Sequence, residues 1–214
     1  AELYRAELDD KDKGLDLYME VLSLDPEHVG AGEHAAEILS SRGAYAAALP
    51  HLEMLVRKTD AKDKPKLLEG NLRLGEAALK LREERLEAEE DDKEPREKAL
   101  GAYRAAYDLD PTSHKALSRL AQLLFDSKEF EEAGKLFQAL LVHRRDSMET
   151  GEIVNVFFNL STIKEELGEH AKALNMIEKA LDVDPANAKV LERAIDIYQA
   201  KEDFEAVLRC KNNL

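Results

Sequence analysis

The chain carries many side chains capable of chemistry, but they are dispersed. Six histidines stand at His28, His34, His51, His114, His143 and His170, and no two have the three- or four-residue spacing that places a pair of metal ligands on one helical face. Asp and Glu together number 45, yet they fall in mixed-charge runs typical of solvated faces, so no pair of carboxylates stands out for acid–base work. The 10 glycines are spread over turns and helix contacts and form no phosphate-cradling loop. Catalysis, metal binding and a cofactor are therefore not expected. The residues that do suggest a use are amides and cations one helical turn apart, Asn155 with Asn159 and Lys189 with Arg193. Such groups can fix a peptide backbone and meet acidic side chains through charge-assisted hydrogen bonds.

The elements that must position them repeat along the chain. Ala99-Leu100-Gly101-Ala102-Tyr103-Arg104-Ala105-Ala106 and Ala133-Gly134-Lys135-Leu136-Phe137-Gln138-Ala139-Leu140 align one 34-residue period apart. A third copy, Ala173-Leu174-Asn175-Met176-Ile177-Glu178-Lys179-Ala180, runs into Asp184-Pro185 as the first runs into Asp110-Pro111. The apolar spacing predicts helical hairpins over 29–60, 65–111, 114–145 and 151–185, with partial units at 1–26 and 188–214. In the first, Leu3, Tyr4 and Leu8 read as the end of a helix whose partner runs over 12–24 with Gly14, Tyr18 and Val21 inward. Gly43 is expected to turn the chain with positive φ between helices over 29–41 and 45–58. Pro50 falls inside the second of these at some cost. The stripe Leu117, Leu120, Ala121, Leu124, Phe130, Ala133, Phe137 and Leu140 should be buried. Six residues extra to the period fall within 143–149, and Asp146 or Ser147 is expected to cap the helix that follows.

The third hairpin exceeds the period, partly in 59–64 and mostly in a charged insertion, 82–98, with almost no apolar residue. It reads as a solvated spacer carried on two lengthened helices, with Pro95 at the first position of the second. Leu74-Gly75, Leu120-Ala121, Leu160-Ser161, the turn residues Gly43 and Gly168, the alanines 48, 99, 133 and 173, the aromatics Tyr103 and Phe137, and Pro26, Pro111 and Pro185 together resemble the tetratricopeptide repeat family over nearly the whole chain. Lys128 departs from the pattern by replacing a turn glycine.

That resemblance implies an all-α, right-handed solenoid of stacked antiparallel hairpins, whose opening helices line a concave groove binding a peptide or protein. Placing each opening helix by its Leu–small pair puts Lys115, Ser118, Arg119, Gln122, Asn155, Phe158, Asn159, Thr162, Lys189, Glu192, Arg193 and Asp196 on that groove. It is polar and cationic in the C-terminal half, whereas Glu33, Glu37 and Glu76 make the N-terminal half acidic. Co-chaperones of this class share a carboxylate clamp, which Asn159, Lys189 and Arg193 match while Ser118 and Gln122 replace its other members. The function expected is a non-catalytic interaction scaffold. The alternatives are a clamp-type co-chaperone for acidic C-terminal peptides and a regulatory region of a larger enzyme.

Composition sets the remaining limits. A formal charge of −14 without a basic stripe argues against nucleic acid and against an anionic membrane surface. No apolar run has the ~20 residues needed to cross a bilayer, and a cytoplasmic location is expected. Only 6% of the chain is aromatic and there is no Trp, so Ala and Leu must carry the core. The lone Cys210 cannot form an internal disulfide and reads as a core thiol near the end of the last helix. A chain that begins in mid-helix is expected to be a piece of a longer array.

Overall fold

A computed structural model describes residues 11–214; the helix expected around Leu3, Tyr4 and Leu8 lies outside them. Eleven α-helices and no strand occur among the described residues: α1 (Lys11–Leu24), α2 (Val29–Ser41), α3 (Tyr45–Lys58), α4 (Lys64–Glu87), α5 (Lys93–Leu109), α6 (His114–Asp126), α7 (Phe130–Arg144), α8 (Thr150–Glu166), α9 (His170–Val183), α10 (Ala188–Ala200) and α11 (Phe204–Asn213). The fold is all-α, and its main packings join helices adjacent in the sequence. Two compact units divide the chain, 1–116 and 117–214.

In the first unit, Tyr18 and Leu22 of α1 pack with Ala31, Ala35 and Ile38 of α2, and the Tyr18 and His34 rings lie 4.9 Å apart. Gly14 is buried beside them, while Val21 is only half-buried. α2 opens on a cap in which His28 Nδ1 accepts from the Ala31 amide at 3.0 Å. It ends where Gly43 takes φ +75°, a conformation open to a residue without Cβ. α3 continues through Pro50 without a break. Where α4 meets α5, Gly75 faces the fully buried Tyr103 ring.

The charged insertion forms the far end of α4 and α5, and it is not uniformly solvated. Arg82 Nε donates to Asp92 Oδ2 at 2.8 Å, with side chains 18% and 23% exposed. Arg85 reaches the Asp91 carbonyl at 3.2 Å, and Lys98 bonds Glu53 of α3. Helix α5 starts at Lys93, so Pro95 is its third residue and not its first; it is fully buried. The third position also lacks an intrahelical acceptor for its amide, which is why proline fits there.

In the second unit the expected stripe is buried at every position except Phe130, which is half-buried. Each fully buried aliphatic side chain contributes ~1.5–3 kcal/mol. Phe125 meets Phe130 and Phe137 edge-on, at 5.9 and 6.3 Å between ring centres. Lys128 does take the glycine's place in the α6–α7 turn, at φ +61°. The connection after α7 is a 3₁₀ turn, Arg145–Ser147. Neither Asp146 nor Ser147 caps α8: its N-cap is Glu149, with no side-chain cap bond, because the 3₁₀ turn ties the Ser147 hydroxyl back to the Arg144 carbonyl at 2.9 Å. The last hairpin buries Val190, Leu191, Ala194, Ala206, Val207 and Cys210, and leaves Phe204 and Leu208 exposed on α11.

Candidate functional site

The amide and cation residues singled out in the sequence fall on α6, α8 and α10. The turn-by-turn spacing of α8 places Asn155 and Asn159 in register, with Phe158 and Thr162 beside them. Asn159 Nδ2 donates to Gln122 Oε1 on α6 at 3.1 Å. Gln122 Nε2 donates in turn to Asp126 Oδ1 at 2.8 Å. The three groups form a directed relay that ends on a carboxylate, so each amide is held in one orientation. The Asn159 Oδ1 acceptor and the exposed Asn155 amide remain for a ligand.

Between α8 and α10, the Lys189 ammonium sits 4.2 Å from the centre of the Phe158 ring, a cation–π contact that fixes a long, otherwise mobile side chain. One turn further on α10, Arg193 is half-buried and makes no ion pair or side-chain hydrogen bond among the described residues. The Thr162 hydroxyl is bound within its own helix, to the Phe158 carbonyl at 3.2 Å. Arg119 is exposed on α6. Lys115, at the start of α6, has its Nζ 2.7 Å from Glu76 Oε2 on α4.

The first unit has polar ground of its own. A slot between α2, α3 and α4 has Leu52 and Leu55 at its base and Glu33, Lys66, Glu69 and Arg73 around it. A wider trough of about 290 Å³ adjoins it and shares Leu52 and Arg73. Sequence reasoning recorded the acidic residues of this half and missed Arg73 and Glu69. Both stand in an ordinary alternation of charges on α4, and only the packing of α3 beneath them shows that they flank an apolar floor.

Ionisation is perturbed at a few places. Hydrogen bonding from Lys58 holds the Glu27 carboxyl below its usual range, and the Arg82 bond does the same for Asp92. Burial pushes the Cys210 thiol up, which keeps it protonated and unreactive. Among the described residues no three His, Cys, Asp or Glu side chains are grouped to hold a metal, and no helix is long and apolar enough to cross a membrane.

Residues 112–186 match the family model described as tetratricopeptide repeat. No curated protein matches the chain in sequence. Among solved structures it is similar to YrrB, described as a TPR protein with an unusual peptide-binding site, at 19% identity and a TM-score of 0.62 over 94% of this chain and 88% of YrrB. It is also similar to MamA, at 19% identity and a TM-score of 0.63 over 94% and 91% of the two chains. A MamA from Desulfovibrio magneticus RS-1 gives 16% identity and a TM-score of 0.63 over 86% and 92%. At such identities the likeness is one of fold.

Proposed function

We propose that this chain, whose residues 112–186 match the tetratricopeptide repeat model, is a repeat protein of that family and a non-catalytic interaction scaffold whose α6–α8–α10 face binds a peptide segment of a protein partner. The observation that carries this reading is the relay from Asn159 through Gln122 to Asp126. Orienting the amides before a ligand arrives lowers the entropy lost on binding. Asn155 and Asn159 then hold the main chain of an extended segment, and Arg193 meets an acidic group on it. The shared fold with YrrB, described by its peptide-binding site, agrees with this use. The formal charge of −14 makes nucleic acid a poor partner.

A narrower reading is capture of acidic C-terminal peptides. It is favoured by Lys189 and Arg193, one turn apart, with the guanidinium unpaired. Free-carboxylate and amidated forms of one peptide separate the two readings, since only the clamp distinguishes them.

The test begins with the partner recovered by the intact protein from its source cell. The charge-assisted contact of Arg193 is worth ~1.5–3 kcal/mol and the neutral amide contact of Asn159 ~0.5–1.5 kcal/mol, so Arg193→Ala should weaken binding by about ten-fold or more and Asn159→Ala by about two- to ten-fold. Glu84→Ala, in the insertion, should leave it unchanged. Full affinity in both groove variants, with helicity intact, rejects this face.

A further inference from the structure

The slot and trough of the first unit contain charges that the protein itself leaves unanswered. At one end Glu76 is neutralised by Lys115, and Glu37 has His34 at 3.9 Å. At the other, Glu33, Lys66, Glu69 and Arg73 make no ion pair and no side-chain hydrogen bond among the described residues. Lys66, Glu69 and Arg73 follow one another on α4 at spacings that commonly form pairs, yet these side chains do not meet. Arg73 is half-buried and borders both clefts. A guanidinium taken partly out of water with its N–H donors unmatched carries a desolvation cost that an arriving acceptor would relieve.

We propose that this face is a second ligand subsite, which takes an extended peptide segment with an aliphatic side chain next to a lysine or arginine. Leu52 and Leu55 form the floor for the aliphatic group, removing it from water. Arg73, reaching over that floor, donates to a main-chain carbonyl of the segment. Glu33 stands on α2 and Glu69 on α4, so one unpaired carboxylate comes from each wall to receive the cationic side chain. An acidic segment fits poorly, because four carboxylates border these clefts against the three cations Lys66, Arg73 and Lys115, and one of the three is already paired. Apart from Lys115 at the start of α6, the subsite's residues stand on different helices from the α6–α8–α10 face, and it does not depend on that face being functional.

The test is selection of a random dodecapeptide library on the intact chain, followed by synthesis of an enriched peptide and titration by fluorescence anisotropy. The enriched pool should pair an aliphatic residue with an adjacent lysine or arginine. The synthetic peptide should lose about ten-fold in affinity against Glu33→Gln/Glu69→Gln and against Arg73→Ala, and keep its affinity against Asn159→Ala. Arg73→Lys, which retains the charge but not the planar fork, should lose affinity without any change in fold. An empty pool, an acidic pool, or a basic–aliphatic peptide indifferent to the Glu33, Glu69 and Arg73 variants overturns the proposal. A peptide that responds only to Asn159→Ala and Arg193→Ala overturns it too, while supporting the face in the second unit.

Discussion

Gly75 and Tyr103 occupy each other's space: a Cβ added at residue 75 would lie 2.8 Å from Tyr103 Cε2 and 2.9 Å from Cζ, and that ring has no exposed surface. The close approach of α4 and α5 depends on the missing methyl group. Gly75→Ala should therefore cost ~1–3 kcal/mol, the usual penalty of overpacking a rigid core, read as a lower urea midpoint. Gly101, on the open side of α5, has nothing within 4 Å of an added Cβ. Gly101→Ala should raise stability by ~0.5–1 kcal/mol. Equal losses from both substitutions would show that the ring contact is not the cause.

Lys128 and Gly168 hold the same left-handed turn conformation, at φ +61° and +73°, in consecutive hairpins. The lysine bears a steric cost there that the glycine does not. Lys128→Gly should stabilise the protein by about 0.5–1 kcal/mol, and Gly168→Ala should destabilise it by about 1 kcal/mol. Opposite shifts in Tm are the expected result, and shifts of the same sign would contradict it.

Pro50 is exposed and lies well inside α3, where it removes an intrahelical hydrogen bond and crowds the carbonyl one turn back. Pro50→Ala should raise stability, by as much as ~3 kcal/mol if none of that strain has been relieved by bending. Thermal unfolding followed by helical circular dichroism measures it; an unchanged or lower Tm would mean that the proline's fit outweighs its defect.

Tyr198 donates its hydroxyl hydrogen bond to Glu178 Oε1 at 3.0 Å, and burial followed by this bond pushes its pKa up from 10.0 to about 12. A folded value above the unfolded one favours the protonated, folded state. The contribution is complete below about pH 10 and is lost as pH rises to about 12. Burial raises Cys210 as well, from its ordinary value of 9.0, adding a loss of the same sign. Unfolding free energy in urea should fall over this range, and less steeply in Tyr198→Phe. Identical slopes in the two proteins would deny Tyr198 this role.

The helices were legible in the sequence wherever punctuation was local. α2 and α3 have the expected limits because Gly43 admits one backbone turn and Pro26 stops the chain before it. Pro95 was misplaced because proline suits several first-turn positions and only packing decides among them. The cap expected at Asp146 or Ser147 was displaced by a 3₁₀ turn over 145–147, in which the Ser147 hydroxyl bonds back to the Arg144 carbonyl. On the candidate faces, residue type drew attention to Asn159 and Arg193 but not to the Gln122 link, which joins positions 37 residues apart. Arg73 was invisible for a related reason: its significance lies in the partners it lacks, and those depend on geometry.

The habit of each helix packing chiefly against its chain neighbours also bears on how quickly the native state is reached. Short loops are closed at every step, so little chain entropy is lost before a contact is gained. Folding can begin at whichever hairpin forms first and spread to the next. Amides in α1 and α11, each bordered by a single chain-neighbour helix among the described residues, should exchange with solvent deuterium earlier than those in α4 or α8, giving a gradient of protection along the chain in place of one uniform global opening.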